Sequence, residues 1–519
     1  MSDSFYITTP IYYVNDAPHI GHAYTTIACD VMARFYRLLG NEVYFLTGTD
    51  EHGQKVEKTA ASIGLTPQEC ADKNSQKFRA LVCDSSREDG GENALGVSNH
   101  DFIRTTEPRH IKAAQALWQR LDDAGSLYLE NYGGWYSVRD EAYYQESELV
   151  DGKAPTGAPV EWVEEPSYFF RLSAYQDKLL DYYKSNPEFI FPQSRYNEVV
   201  RFVEGGLKDL SVSRTSFSWG VGVPGNPQHI MYVWLDALAN YLTALGFPDL
   251  DAPLYKRFWG NCFHVVGKDI LRFHAVYWPA FLMAADLPLP KKIIAHGWWT
   301  NEGQKISKSL GNVIDPHALL QEFGRDATRY FLMREVPFGQ DGNFAREQMI
   351  MRMNAELANN IGNLGQRTLS FVQKHTGGNV PLAGELSEAD ENLRKRCRDS
   401  SRYLRAMNGQ VFSEALEETI ELAMAANQYI DQQAPWNLKK QGDEKRLATV
   451  LATLLEALHA LALRLQPFVP ESSQAMLIQL GYTPATAARG VMLQNITKGY
   501  TYVGALPAPT PVFPRFLEK

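Results

Sequence analysis

Two short strings nearly three hundred residues apart carry side chains suited to holding phosphate: His19-Ile20-Gly21-His22 and Lys305-Ile306-Ser307-Lys308-Ser309. The first tetrapeptide arises by chance in roughly one in a thousand chains of this size and the second pattern in about one in a hundred, so a joint accident is improbable. On the first turn of a helix His19 and His22 share a face, where unpaired backbone N–H groups and the helix dipole already favour an anion. Gly21 between them would let a flat adenine come close to the backbone. Taken alone, the string reads more readily as two surface histidines and a helix-entry glycine. Lys305 and Lys308 lie in a polar, glycine-bracketed stretch, Asn301 to Asn312, that reads as a mobile loop carrying ammonium groups. Phosphoryl chemistry gains mainly from positioning and charge stabilisation, so two such lysines closing on a departing pyrophosphate would suit it, and the pair of strings outweighs the solvated-loop alternative.

The elements that must position these groups are legible. Phe5 to Tyr13 reads as a β-branched and aromatic strand, a turn follows over Val14 to Pro18, and apolar residues at helical spacing run from His19 to about Leu39. A second strand begins at Glu42, so the opening is a βαβ unit with a parallel sheet and a ligand site beyond the strand C-termini. From Ala116 to Ser218 the texture turns aromatic, alternating and Gly/Pro-punctuated, as expected of an inserted domain. Strand signals return at His229 to Val233 and Phe263 to Val266, where the parallel sheet is expected to resume. After about Ala345 long helical periodicity takes over, broken near Gly377 and Gly442, and predicts a helical bundle. The string Gly220-Val221-Gly222-Val223-Pro224-Gly225 imitates a dinucleotide fingerprint, but Pro224 and the strand that follows deny it a helix, and it reads as a glycine turn.

Composition narrows the function classes. At 519 residues, 45% apolar and 21% charged, the chain suits a soluble protein of two to four domains. It shows neither a secretion leader nor eighteen consecutive apolar residues, so export and a membrane partner are not expected. Cys29, Cys70, Cys83, Cys262 and Cys397 are scattered without a CxxC pair, which reads as a reducing cytoplasm. A net charge of −9 argues against bulk attraction of nucleic acid, although from Arg346 onward 19 Lys and Arg face 17 Asp and Glu. Nucleic-acid binding would have to rest on particular groups.

The two strings match the signatures of class I aminoacyl-tRNA synthetases, with Ile306 where methionine is usual. Over essentially its whole length the chain resembles the methionyl-tRNA synthetase family, through Pro10 to Asn15, Gly48 to Gly53, Tyr232 to Leu238, Gly267-Lys268-Asp269-Ile270, His296-Gly297-Trp298 and Gln433-Ala434-Pro435-Trp436. The resemblance implies an α/β fold: a Rossmann-like parallel-sheet catalytic domain (1–115 and 226–345) carrying a connective insertion (116–225), then an all-α anticodon-binding domain (346–519). It implies that His19, His22, Lys305 and Lys308 are catalytic and that His19, Gly21, His22, Gly267, Asp269 and Lys308 bind ATP. Ile11, Tyr13, Trp234, Ala237, Leu238, Tyr241 and His296 would line the methionine side-chain pocket, with Asp50 holding the substrate ammonium. An aromatic wall with a few polar tips suits a polarisable thioether, although Trp234 and Leu238 at helical spacing also read as core. Asp269 also reads as a helix N-cap. Asn363, Arg367 and Trp436 would read the anticodon, the exposed indole as a stacking platform and the other two on base edges.

By the same resemblance the activity is that of a methionine–tRNA ligase, with ATP and accompanying Mg²⁺, L-methionine and tRNA(Met), including the initiator tRNA, as partners. Relatives often hold zinc on cysteine knuckles in the insertion. This chain has no cysteine between Cys83 and Cys262, so no structural zinc is expected. It also ends soon after the bundle, which makes a monomer the expectation. The rivals are another class I synthetase, disfavoured by the modest insertion, and a catalytically silent tRNA-binding homologue, disfavoured by the intact His19, His22, Lys305 and Lys308.

Overall fold

The computed structural model describes residues 3–82, 94–140, 142–306 and 312–516, with Lys305 given by its backbone alone. The first strand, β1 (Ser4–Thr8), is buried at all five positions. It covers only the first half of the strand expected over Phe5 to Tyr13. Pro10 has no N–H to give a ladder, so the chain bends there and re-enters as β2 (Tyr12–Tyr13), opposite Thr49 and Asp50 of β3 (Glu42–Asp50). Between them α1 (Ile20–Leu38) packs on the sheet, Phe5 stacking on Tyr36 at 3.9 Å. A fourth strand, β4 (Asp101–Arg104), lies parallel to β3.

The aromatic stretch forms an antiparallel sheet of β5 (Leu127–Ser137), β6 (Ala142–Tyr144), β7 (Glu161–Phe170) and, further on, the short β9 (Leu210–Ser211). Before β9, the two-residue β8 (Ile190–Phe191) leaves this sheet and pairs in parallel with the main one, tying the aromatic stretch to it. Next come β10 (Ser213–Arg214), β11 (Gly222–Val223) and β12 (Asn226–Met231), a separate three-stranded antiparallel sheet. The His229 to Val233 signal is therefore a strand, but not one of the parallel sheet. Its partner is local, across a turn where Gly225 takes φ 74°, and this is the glycine turn read from the Gly220 to Gly225 string.

The parallel sheet resumes with β13 (Cys262–Gly267) and β14 (Lys292–His296). In space β1 stands between β3 and β13, β14 follows β13, and β8 closes the edge. With β1 flanked by β3 from the first part of the chain and by β13 from well beyond the inserted stretch, the order reverses at β1 and opens a crevice at the strand C-termini.

After β14 a small sheet of β15 (Trp299–Asn301), β16 (Gln304–Lys305) and β17 (Gly342–Phe344) intervenes, and from Arg346 onward the described chain is mainly helical. Gly377 at φ 62° and Gly442 at φ 75° end helices where the breaks were expected. The helix Glu444–Leu465 is long and apolar enough to cross a membrane by length and composition, but 89% of its apolar window is buried inside the protein. Helical third and sheet share one continuous core. At the far end of α1, Leu493 N–H donates to the Leu38 carbonyl at 3.0 Å, and buried Arg329 bonds Asp30 of α1 at 2.7 Å and the carbonyls of Pro467 and Phe468. One end of α1 is thus held by the bundle, while the other opens on the crevice.

Candidate active site

Beyond the C-terminal ends of β1, β13 and β14 lies a cleft of about 1800 Å³. His19 caps α1 from an extended backbone. Its Nδ1 accepts the Gly21 N–H at 3.1 Å, and His22 Nδ1 accepts the His19 N–H at 3.0 Å. With Nδ1 used as an acceptor in both rings, each neutral imidazole carries its proton on Nε2, so the turn offers two N–H donors. The rings lie 3.8 Å apart. Burial lowers the pKa of His19, with Asp269 opposing, and takes that of His22 well below its usual value, helped by His19. Gly21 has a local reason beside the expected one: a Cβ there would stand 2.9 Å from the His19 ring.

The second string reaches the same place by its flanks. Ile306 and Val313 both line the cleft, and the Ile20 N–H donates to the Ile314 carbonyl at 3.1 Å, fastening the chain after the string to the start of α1. The Lys305 backbone lies in a hairpin opposite Thr300. Lys308 lies outside the described residues.

Asp50 ends β3, and Glu51 and His52 follow it as the chain leaves the strand, so the three side chains diverge. Asp50 is buried on the cleft wall. Glu51 turns inward to Arg104, whose Nε and Nη2 donate to its two oxygens at 2.7 and 2.8 Å, and Thr106 adds a third bond. His52 Nδ1 donates to Asp236 Oδ2 at 2.6 Å, while His110 Nε2 donates to Asp236 Oδ1 at 2.7 Å. Burial alone would raise the Asp236 pKa, but the two imidazoles bring it down to about 2.

Asp236 sits in the short helix Val233–Leu238, whose Trp234, Ala237 and Leu238 line the cleft. Trp234 is half-buried and stacks flat on Phe273 at 3.9 Å, so it is a wall rather than the core residue its spacing also allowed. Tyr241 is buried, its hydroxyl 2.7 Å from His274 Nε2. Because His274 Nδ1 must donate to the Ile270 carbonyl, 3.0 Å away, Nε2 is an acceptor and Tyr241 gives it a proton. Ile11, Tyr13 and His296 complete this wall. Gly267 and Asp269 also face the cleft. Gly267 caps the single turn Lys268–Ile270, so the capping alternative for Asp269 is not realised, and Asp269 Oδ1 instead accepts the Trp298 indole N–H at 3.1 Å.

In the bundle, Asn363 and Arg367 occupy successive turns of the helix Asn363–Thr376, far along the chain from Trp436. The Arg367 guanidinium lies 5.5 Å from the Trp436 ring and bonds Asp431 at 2.7 Å, and Trp436 is 38% exposed. Arg367 and Trp436 are thereby brought together at the surface.

The sequence reading missed Asp236 with His52 and His110, His274, Phe273 and Thr25. An acid inside the apolar run Val233 to Leu238 was a visible signal of a buried partner. The partners themselves lie 184 and 126 residues away. Among the described residues no group of three or more His, Cys, Asp or Glu is placed to hold a metal.

Residues 5–161 and 147–369 match the family described as tRNA synthetases class I (M), and residues 380–507 match the anticodon binding domain of methionyl tRNA ligase. The chain belongs to the methionine branch of the class I tRNA synthetases. A methionine–tRNA ligase of Rickettsia felis is 56% identical over 523 residues, covering 99% of each chain, and one of Mesorhizobium japonicum is 50% identical, covering 100% of this chain and 98% of its own. Mycobacterium tuberculosis methionyl-tRNA synthetase in complex with methionyl-adenylate superposes with a TM-score of 0.94 at 49% identity, over 99% of this chain and 100% of that one. The free form of that synthetase gives 0.88 at 46% identity, over 100% and 99%.

Proposed function

We propose that this chain is a methionine–tRNA ligase: it activates L-methionine with ATP and passes the methionyl group to the 3′ end of tRNA(Met), the initiator tRNA included. The reading is supported above all by one cleft walled at once by a two-donor histidine turn, a buried carboxylate and an aromatic pocket, in a chain that matches such ligases from end to end. In the first step the methionine carboxylate attacks the α-phosphorus of ATP in line, and the bond to pyrophosphate breaks. In the second a ribose hydroxyl of the terminal tRNA nucleotide takes the acyl group and releases AMP.

His19 and His22 give Nε2–H donors to phosphate oxygens as charge shifts towards the leaving group, and Lys305 and Lys308 close on the pyrophosphate. Gly21, Gly267 and Asp269 hold the nucleoside, Asp269 by accepting from ribose hydroxyls. Asp50 anchors the methionine ammonium, while Ile11, Tyr13, Trp234, Ala237, Leu238, Tyr241 and His296 enclose the thioether. Magnesium bound with ATP would supply charge neutralisation on the triphosphate. Trp436 stacks an anticodon base, with Arg367 and Asn363 on base edges. We assign catalysis to 1–115 and 226–345, the connective insertion to 116–225 and anticodon binding to 346–519, in a cytoplasmic monomer.

Amino-acid-dependent exchange of labelled pyrophosphate into ATP, run across the twenty amino acids, tests the assignment. Methionine alone should give strong exchange. A stronger signal from another amino acid would reassign the pocket, and no signal from any would favour a silent homologue.

A further inference from the structure

Thr25, on the second turn of α1 and 3% exposed, stands between the nucleotide and methionine sides of the cleft. Its Oγ1 lies 3.0 Å from the Gly21 carbonyl, in the histidine turn, and 2.7 Å from His296 Nε2, at the end of β14. Both neighbours line the cleft. His296 is itself buried and held edge-on by Tyr24 at 5.2 Å, so its ring has little freedom.

Proton counting gives this contact its meaning. The Gly297 carbonyl, 2.8 Å from His296 Nδ1, only accepts, so Nδ1 donates. Burial lowers the His296 pKa, against the Gly297 bond and Asp269, which leaves the ring neutral with a lone pair on Nε2. That lone pair and the Gly21 carbonyl, which only accepts, compete for the hydrogen of the same Thr25 hydroxyl. Thr25 has one proton for two acceptors, one in each substrate's site.

We propose that Thr25 is a positioning residue that couples the two substrate sites, its single hydroxyl proton shared between the Gly21 carbonyl beside the nucleotide and His296 in the methionine pocket. The proposal rests on the methionine–tRNA ligase reading. Whichever substrate arrives first fixes the hydroxyl rotor and the groups it bridges, and the second then meets an ordered site and binds more tightly.

The test is the dissociation constant of methionine, measured by equilibrium dialysis with and without a saturating ATP analogue carrying a methylene bridge between the α and β phosphates. With one buried hydrogen bond at stake, the wild-type protein should bind methionine about five-fold more tightly with the analogue present. Thr25→Val, nearly isosteric, should bring that factor below about two-fold, and Thr25→Ser should restore it. The ¹⁵N shifts of His296 add a readout that a packing role would not move. The wild type should show the Nδ1-protonated tautomer, with the Nε2 resonance displaced in T25V by loss of its donor. An unchanged factor in T25V, no factor in the wild type, or a His296 protonated on Nε2 would each overturn the proposal. Should T25V fail to fold, the wild-type tautomer and the T25S factor still decide it. Failure of the underlying reading is distinguishable, because methionine would then support no pyrophosphate exchange in the wild-type protein.

Discussion

Replacing Asp236 by Asn should damage methionine binding while sparing ATP. The carboxylate, 1% exposed, accepts two imidazole N–H bonds at 2.6 and 2.7 Å, and so ties the helix of Trp234, Ala237 and Leu238 to His52, two residues beyond Asp50 at the end of β3. An amide offers one acceptor and one donor, so one of the two N–H groups faces an N–H. Leaving a buried donor without its acceptor costs about 1–3 kcal/mol, so about 2 kcal/mol has to be absorbed locally. If that loosening falls on the spacing between the ammonium anchor and the thioether wall, it corresponds to a rise in methionine KM of about ten-fold or more. No hydrogen bond of Asp236, His52 or His110 goes to Gly21, Gly267 or Asp269, so the ATP KM should change less than about two-fold. Steady-state pyrophosphate exchange, varying each substrate in turn on protein shown by circular dichroism to be folded, separates the two. Equal rises in both constants would mean general loosening, and an unchanged methionine KM would refute the positioning argument outright.

Three other outcomes are expected. Burial brings the His274 pKa down to about 4, against opposing effects of the Ile270 carbonyl and Asp269. The unfolded chain therefore takes up this proton first as pH falls below about 6.5, and about 3 kcal/mol of stability, complete above that pH, is lost on the way down to 4. Urea midpoints at pH 7 and 4.5 should differ less in His274→Gln than in wild type, and equal differences would contradict a buried neutral ring. Trp436→Ala should lower kcat/KM for tRNA charging by about ten-fold or more, the worth of one stacked base, while leaving pyrophosphate exchange within two-fold; equal losses in both would remove its anticodon role. Gly297→Ala would set a Cβ 2.2 Å from the Gln340 carbonyl oxygen, so calorimetry should show a clear drop in Tm, with about 1–3 kcal/mol lost, and an unchanged Tm would mean that the Gln340 segment yields freely.

Local signals were read well because they are local. A histidine before an apolar-periodic run is a helix entry, and His19 does cap α1; glycines that punctuate long periodicity end helices at Gly377 and Gly442. Pro10 was an equally local signal, and its missing N–H divides the first strand. Pairing partners are another matter. The His229 strand has the alternation of a half-buried strand, but nothing in that pattern says which sheet it joins, and the nearby Gly222 and Val223 claim it. The two residues Ile190 and Phe191 are too short to carry any period. The cleft's outline came from recognisable strings, whereas its supports, Asp236 with His52 and His110 or Tyr241 with His274, depend on chain segments meeting only after folding.

Adenylate formation by this chain depends most on one nucleotide being held from two sides. A crystal structure of this chain with methionine and a non-hydrolysable ATP analogue tests that directly. It should place His19 and His22 Nε2 and the ammonium groups of Lys305 and Lys308 within hydrogen-bonding reach of oxygens on the same triphosphate. A triphosphate seated on the histidine turn with both lysines turned away to solvent, or bound outside this cleft, would contradict it.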